Sequence, residues 1–220
     1  MSEPAPSMAR PLTFKDQVAD SLRAAVVAGE MSPGEVWSAP VLAERFGVSA
    51  TPVREALLDL VRDGLMEPVR NKGFRVTALS AAELDATGEV RLLLEPAAAA
   101  RAAALPDAER RAGVERLRPV AARIVEAARS GDVVAHVRAD REFHAGLLAL
   151  AGNPVLAETV MRLRDRSRLY GLPGLARAGT LVETAGEHDP LLDLVAAGDV
   201  EGAAAAMRHH VSHVRAEWSG

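Results

Sequence analysis

Asp140 and His144 stand four residues apart, and His188 and His210 follow in later segments. On a helix, a spacing of four puts two side chains on one face, so this Asp–His pair can share one ion. One carboxylate and three imidazoles make a mixed N/O set suited to a divalent transition metal: zinc first, with nickel or manganese as alternatives. The adjacent His209 and His210 must face different sides of a helix, and the apolar stripe of Met207, Val211 and Val214 lies nearer to His210. His136, His209 and His213 read as solvated helix residues. Phe143 and Leu147 turn inward with the Asp140/His144 pair, and a buried carboxylate needs a partner or an ion. That partner can equally be a plain Asp–His hydrogen bond, and spacing alone leaves both readings open.

A different chemistry occupies the first third of the chain. Ser49, Thr51 and Arg54 sit at the start of a short amphipathic segment whose Val53 and Leu57 face the other way. An Arg at such a tip suits bidentate contact with guanine, and Ser, Thr and open helix N–H groups suit phosphate. Arg70, Lys72 and Arg75 cluster around Asn71 and Gly73, where a hairpin tip could reach DNA backbone or minor groove. The candidate contacts to double-stranded DNA are therefore Arg45, Ser49, Thr51, Pro52, Arg54, Lys72, Gly73 and Arg75. The plainer alternative is that these polar residues only cover a small helical domain.

The elements that must position both sets follow from periodicity and breakers. Residues 1–12 read as a disordered tail. Thr13 can cap a helix from Phe14 to about Ala28, closed by Gly29 and the Ser32-Pro33-Gly34 turn. Helices are expected at about 39–46 and from a Ser49 cap to about Asp63, then two short strands, Met66 to Val69 and Phe74 to Thr77. From Ser80, whose Ser-Ala-Ala-Glu run is a capping box, the pattern predicts six helices: 80–104, kinked at Pro96, then about 107–129, 132–151, 154–169, 186–197 and 200–217. Gly171 to Gly186 reads as a break. The expected fold is mainly α, with a winged helix-turn-helix and a small β-hairpin over 13–78 and an all-helical bundle over 79–220.

Composition agrees. Hydrophobic residues reach 49% and aromatics only 3%, so Ala, Leu and Val must build the core, and Ala and Leu are strong helix formers. The absence of Cys excludes disulfides and thiolate metal sites. No apolar run reaches the roughly 18 residues that span a bilayer, and the first residues lack a signal-peptide core, so a cytoplasmic location is expected. Net charge is −4, and residues 1–79 carry 9 Lys/Arg against 10 Asp/Glu. Any DNA affinity must then come from local geometry doubled in a dimer, not from a basic domain.

Longer motifs sharpen these readings. Pro33-Gly34-Glu35, Leu42-Ala43-Glu44-Arg45-Phe46-Gly47-Val48-Ser49 and Thr51-Pro52-Val53-Arg54-Glu55-Ala56-Leu57 closely resemble the GntR family of bacterial regulators, and Leu60, Asp63-Gly64-Leu65 and Gly73 to Val76 continue the match. Ala50 departs from the family's usual Arg or Lys, and Pro40 stands where some members carry an operator-contacting Arg. Arg54 matches the remaining base-contacting Arg, so the resemblance implies a different operator. Residues 80–217 resemble the FCD ligand-binding domain of FadR-type members, on the shorter, VanR-like side. The matching pieces are Arg91 with Glu95, Asp140-Arg141-Glu142-Phe143-His144, Gly152-Asn153-Pro154, Glu187-His188, and Gly198-Asp199 leading to Met207 and His210.

In the metal-binding branch these positions supply one Asp and three His, so the resemblance implies Asp140, His144, His188 and His210 as ligands. It also implies a homodimeric transcription regulator, with a small organic acid filling the open metal positions. Arg91 is either a second clamp on that acid or a structural ion pair. The expected sense is repression relieved by ligand. Two rivals remain, a metalloenzyme built on the same Asp/His set and a regulator whose metal is purely structural. Glu142 lies two residues from Asp140 and from His144, which turns it away from their face and leaves the enzyme without an evident general base.

Overall fold

The computed structural model describes residues 14–178 and 180–216; the expected tail and the Thr13 cap lie outside them. The first helix, α1 (Phe14–Val27), leads through a turn to β1 (Val36–Trp37), α2 (Ala39–Phe46), α3 (Ala50–Arg62), β2 (Met66–Val69) and β3 (Gly73–Val76). Ser38 caps α2 by accepting from the Val41 amide. Ser49 occupies the N-cap position of α3, but its hydroxyl makes no capping bond. Leu22, Leu42, Val53, Leu57, Leu60 and Val76 are wholly buried in one core beneath these elements.

The small sheet has three strands, not the expected two. β3 is central, antiparallel to β2 and to β1, with Val36 opposite Arg75 and Trp37 opposite Phe74. A two-residue strand has no alternation for a sequence reading to detect. Gly73 explains how it fits: with φ at +124°, a Cβ there would run into the Trp37 carbonyl. Its first role is thus to let β1 close on β3, where the sequence reading had only a DNA contact.

The second half holds seven helices among the described residues: α4 (Ala81–Ala103), α5 (Asp107–Ser130), α6 (Val133–Leu150), α7 (Pro154–Ala178), α8 (Leu181–Gly186), α9 (His188–Ala197) and α10 (Val200–Ala216). Ser80 and Glu83 form both bonds of the capping box that starts α4, and the helix continues through Pro96. The helix expected to end near 169 runs on to Ala178, so Gly171 does not break it. The helix expected over 186–197 is α9, starting at His188, and a short helix that the reading had as part of a break, α8, precedes it across Glu187. Pro190 supplies the reason, because its ring would clash with the carbonyl of Gly186 in an unbroken helix, whereas the third position of a new one tolerates it.

Small and medium side chains fill most of this bundle, including Ala99, Ala102, Ile124, Leu192 and Val211, with Phe143 as a large ring among them. Gly146 lets α6 approach α5, since a Cβ there would strike Leu117. Ala24 and Val27 of α1 belong to this second core, so α1 lies against both halves. No described helix is long and apolar enough to cross a membrane.

Candidate metal centre

The long α6 presents Asp140 and His144 to the bundle interior, the break before α9 turns His188 inward, and α10 adds His210. All four are at most 3% exposed. Phe143 stacks edge-on against His144 and His188, with ring centroids 5.2 and 4.6 Å away, and so fixes both rings. His144 Nε2 and His188 Nε2 lie 3.2 Å apart. Asp140 Oδ1 is 3.6 Å from the first and 3.3 Å from the second. One donor atom from each of the four falls within 4.8 Å of all the others.

Their hydrogen bonds fix which nitrogens face the centre. His188 Nδ1 lies 2.9 Å from the Ala185 carbonyl, which can only accept, so that nitrogen carries the proton and Nε2 is bare in the neutral ring. His210 Nδ1 lies 2.7 Å from Glu187 Oε2. Burial would raise the Glu187 carboxyl, but hydrogen bonds from His210 and His213 outweigh it and hold it below the usual range. Glu187 therefore accepts, and His210 Nε2 is left buried with no hydrogen-bond partner among the described residues. Asp140 Oδ1, although beside Arg168, likewise makes no directed hydrogen bond.

Burial, helped by Arg164, pushes His144 down to about 3, and burial holds His210 well below its ordinary value. These are neutral imidazoles aimed, with a carboxylate, at one point. Buried acceptors without donors carry a desolvation penalty that a cation removes, so the donor set fits a divalent ion.

Around this point lies a group of arginines. Arg164 bonds Glu95 Oε2 at 2.6 Å and Asp140 Oδ2 at 3.2 Å. Arg168 Nη2 pairs with Asp140 Oδ1, while its Nε and Nη1 are buried with no hydrogen-bond partner among the described residues. Arg91 lies midway along α4, fully buried, bonded to Glu95 at 2.6 Å and to the Ser167 hydroxyl at 3.0 Å. Of its two sequence readings, the ion pair is what the geometry displays. Burial would raise Glu95, yet Arg164 and Arg91 hold it at about 2. For Asp140, Arg168, His144 and Arg164 overcome burial and keep it well below the carboxylate range. Arg164 and Arg168 escaped the sequence reading, although their spacing of four on α7 is the same signal that singled out Asp140 and His144.

His136 is a correction. It is 3% exposed, not solvated, because 136, 140 and 144 share one helical face, and its Nδ1 lies 3.3 Å from the Ile124 carbonyl. Burial and Arg168 push it down to about 4. Its unfolded value is near 6.5, so between about 6.5 and 4 only the unfolded chain takes up this proton, and stability falls as pH is lowered through that window. The full shift is worth about 3 kcal/mol. Chelator-treated protein should therefore unfold with a steeper acid dependence over this range than His136→Leu. Equal slopes would show that His136 takes up its proton as readily in the fold as in the unfolded chain. His213 is half-buried against Glu187. Glu142 is exposed and paired with Arg123 at 2.5 Å, away from the cluster.

In the first half, Thr51, Arg54, Arg70 and Lys72 are exposed, and Arg54, Arg70 and Lys72 line one groove between α3 and the β2–β3 turn. Arg45 instead pairs with Glu30 at 3.0 Å and lies over the Trp37 ring. Arg75 pairs with Glu67 at 3.0 Å. The two halves meet through Arg23 of α1, which bonds Asp63 at 2.6 Å and Asp165 at 2.8 Å.

Comparison with known proteins agrees with this architecture. Residues 14–76 match the model of bacterial regulatory proteins of the gntR family, and residues 87–213 match the FCD domain. The chain is 32% identical over 196 residues to an HTH-type transcriptional regulator of an unstable DNA locus in Streptomyces ambofaciens, covering 88% of this chain and 80% of the relative. It is 30% identical over 203 residues to a probable D-xylose utilization operon transcriptional repressor of Paenarthrobacter nicotinovorans, covering 91% and 86%. The solved structure of E. coli McbR/YncC superposes with a TM-score of 0.74 at 27% identity, covering 94% of this chain and 95% of that one.

Proposed function

The chain belongs to the bacterial GntR family of regulatory proteins and carries an FCD domain, and from that premise we propose a cytoplasmic, homodimeric repressor whose grip on its operator is set by a divalent metal and a small carboxylate. Residues 13–78 read the DNA and 79–220 bind the ligands and pair the subunits. Asp140, His144, His188 and His210 hold the ion, with zinc ahead of nickel or manganese. The observation that carries the reading is a buried cluster of one carboxylate and three imidazoles, with His210 Nε2 unbonded among the described residues, beside a guanidinium whose Nε and Nη1 likewise find no hydrogen-bond partner there.

A divalent ion there supplies positive charge and open coordination positions for a carboxylate oxygen. Around it the named charges are already in excess: Arg91, Arg164 and Arg168 face Asp140 and Glu95. A buried net positive charge calls for an anion, and Arg168 supports the role of second clamp better than Arg91, which Glu95 and Ser167 hold. Neighbouring residues link the cluster to the reader. Asp140 is followed by Arg141, which bonds Asp165, and Arg164 is followed by Asp165 itself, which bonds Arg23 of α1. A shift of α6 against α7 on ligand binding thus bears on the helix that carries the reading domain, and differential binding of ligand to two placements is what regulation requires. The family is one of regulators, which sets aside the metalloenzyme.

Operator sequences selected from random DNA test the proposal. Arg54→Ala should cost roughly 1–3 kcal/mol on the selected site and relax one base pair of each half-site. Lys72→Ala should weaken binding evenly across sequences and shrink the salt slope by about one unit per site. Adding zinc with a panel of small di- and tricarboxylates should shift the operator affinity of the parent protein. Unchanged discrimination in Arg54→Ala would remove α3 as the reading helix, and affinity indifferent to every acid would remove the effector.

A further inference from the structure

Beside the buried cluster lies a second set of donors, of which only Glu187 has a part in the first, as the acceptor for His210. His209 and His213 stand one turn apart on α10, and Glu187, at the joint of α8 and α9, faces them. Its Oε1 lies 2.7 Å from His213 Nδ1 and 3.4 Å from His209 Nε2. One donor atom from each of the three falls within 4.8 Å of the other two. The buried set is closed, but here the His209 side chain is 74% exposed and those of His213 and Glu187 are 20% and 18% exposed.

We propose that Glu187, His209 and His213 form a second divalent-metal site in each subunit, open to solvent and weaker than the buried one. Two imidazoles and a carboxylate are a donor set that zinc, nickel and copper(II) accept, with water completing the coordination; the ion takes the place of the proton between His213 Nδ1 and Glu187, and the neutral ring then carries its proton on Nε2. The two histidines come from one rigid helix at the spacing that puts them side by side, so little conformational freedom is lost on binding. The weaker affinity follows from fewer ligands and exposure to water.

Glu187 ties this site to the buried one through its two oxygens. Oε1 faces the surface pair, while Oε2 accepts from His210 Nδ1 at 2.7 Å. Such an outer carboxylate orients a ligating imidazole and raises its basicity. An ion on Oε1 withdraws electron density from the carboxylate that supports His210, so filling the surface site should loosen the buried ion. The inference rests on residues outside the buried set and stands or falls apart from it.

The test is a titration of full-length, tag-free, chelator-stripped protein with zinc alone, using competing chromophoric chelators to resolve affinities. The parent should show two classes, about one equivalent each. His209→Ala, whose side chain faces solvent and whose loss leaves the fold intact, should lack the weak class and keep the tight one, and His213→Ala should do the same. His144→Ala should keep the weak class and lack the tight one. A parent that shows only the weak class would also support this site, while removing the buried one. A parent with no weak class, or a weak class that survives the His209→Ala/His213→Ala double change, overturns the proposal.

Discussion

Replacing His144 or His188 by Ala should strip the protein of its tightly held metal and lower its melting temperature. The parent, purified without chelator, should retain about one such divalent ion per subunit. An ion present at 100 times its dissociation constant stabilises the fold that binds it by about 2.7 kcal/mol. For a chain of this size each kcal/mol moves the melting temperature by roughly 2–4 °C. The expected loss is therefore about 5–10 °C from the ion, plus the cost of the cavity left by the ring. Chelator separates the two terms, because it removes the first from the parent and leaves the second in the variant. His209→Ala should retain the tight ion. His136 is not an innocent control, since it is buried on the same helical face. A parent that emerges without stoichiometric metal after zinc supplementation would leave the four donors as a structural network only.

The next largest effect is expected at Arg164. This guanidinium is 1% exposed and bonds both Glu95 and Asp140, so Arg164→Met leaves two buried carboxylates short of a countercharge. Removing one member of a buried ionic group costs about 3–5 kcal/mol, because the remaining charge stays desolvated. Burial alone does not give that penalty; it comes from the partners left behind. Chemical denaturation of Arg164→Met, Glu95→Gln and the double variant measures it as a coupling energy. The double change should cost well below the sum of the single ones. Additive losses would mean that the two residues act independently and that the network is not a unit. Saturating zinc should recover part of the Arg164→Met loss, since a divalent ion at the cluster neutralises Asp140.

Much of this molecule was legible in its residues. The capping box at Ser80, the Gly29 stop and the apolar spacing of α3 define their elements through local chemistry, so they were legible within a few residues. Asp140 and His144 stood out because four residues on a helix is a contact, and the motifs of residues 33–76 were long enough to carry a family resemblance. Bringing His188 and His210 to that pair was another matter. It depended on the resemblance, because nothing local relates residues 44 or more positions apart.

What only the tertiary structure decided is of one physical kind: which long-range neighbour meets each charge. β1 exists because β3 offers a partner to two residues that Gly73 allows close. His136 shares the helical face of Asp140 and His144, and the packing of α5 against it, with the Ile124 carbonyl 3.3 Å from its Nδ1, is what the tertiary structure adds. Arg91 is held by Glu95 and Ser167, whereas Arg168 meets Asp140 through Nη2 and, among the described residues, leaves Nε and Nη1 without a hydrogen-bond partner, and no spacing rule separates those two arginines. Glu187 becomes the support of His210 because Pro190 breaks the helix beside it and turns the carboxylate toward α10. Local propensity and periodicity thus determined the helices and one helical pair of the site. Desolvation, charge pairing and the open donor atoms arise only when distant segments pack, and those are the properties from which a metal and its acid can be inferred.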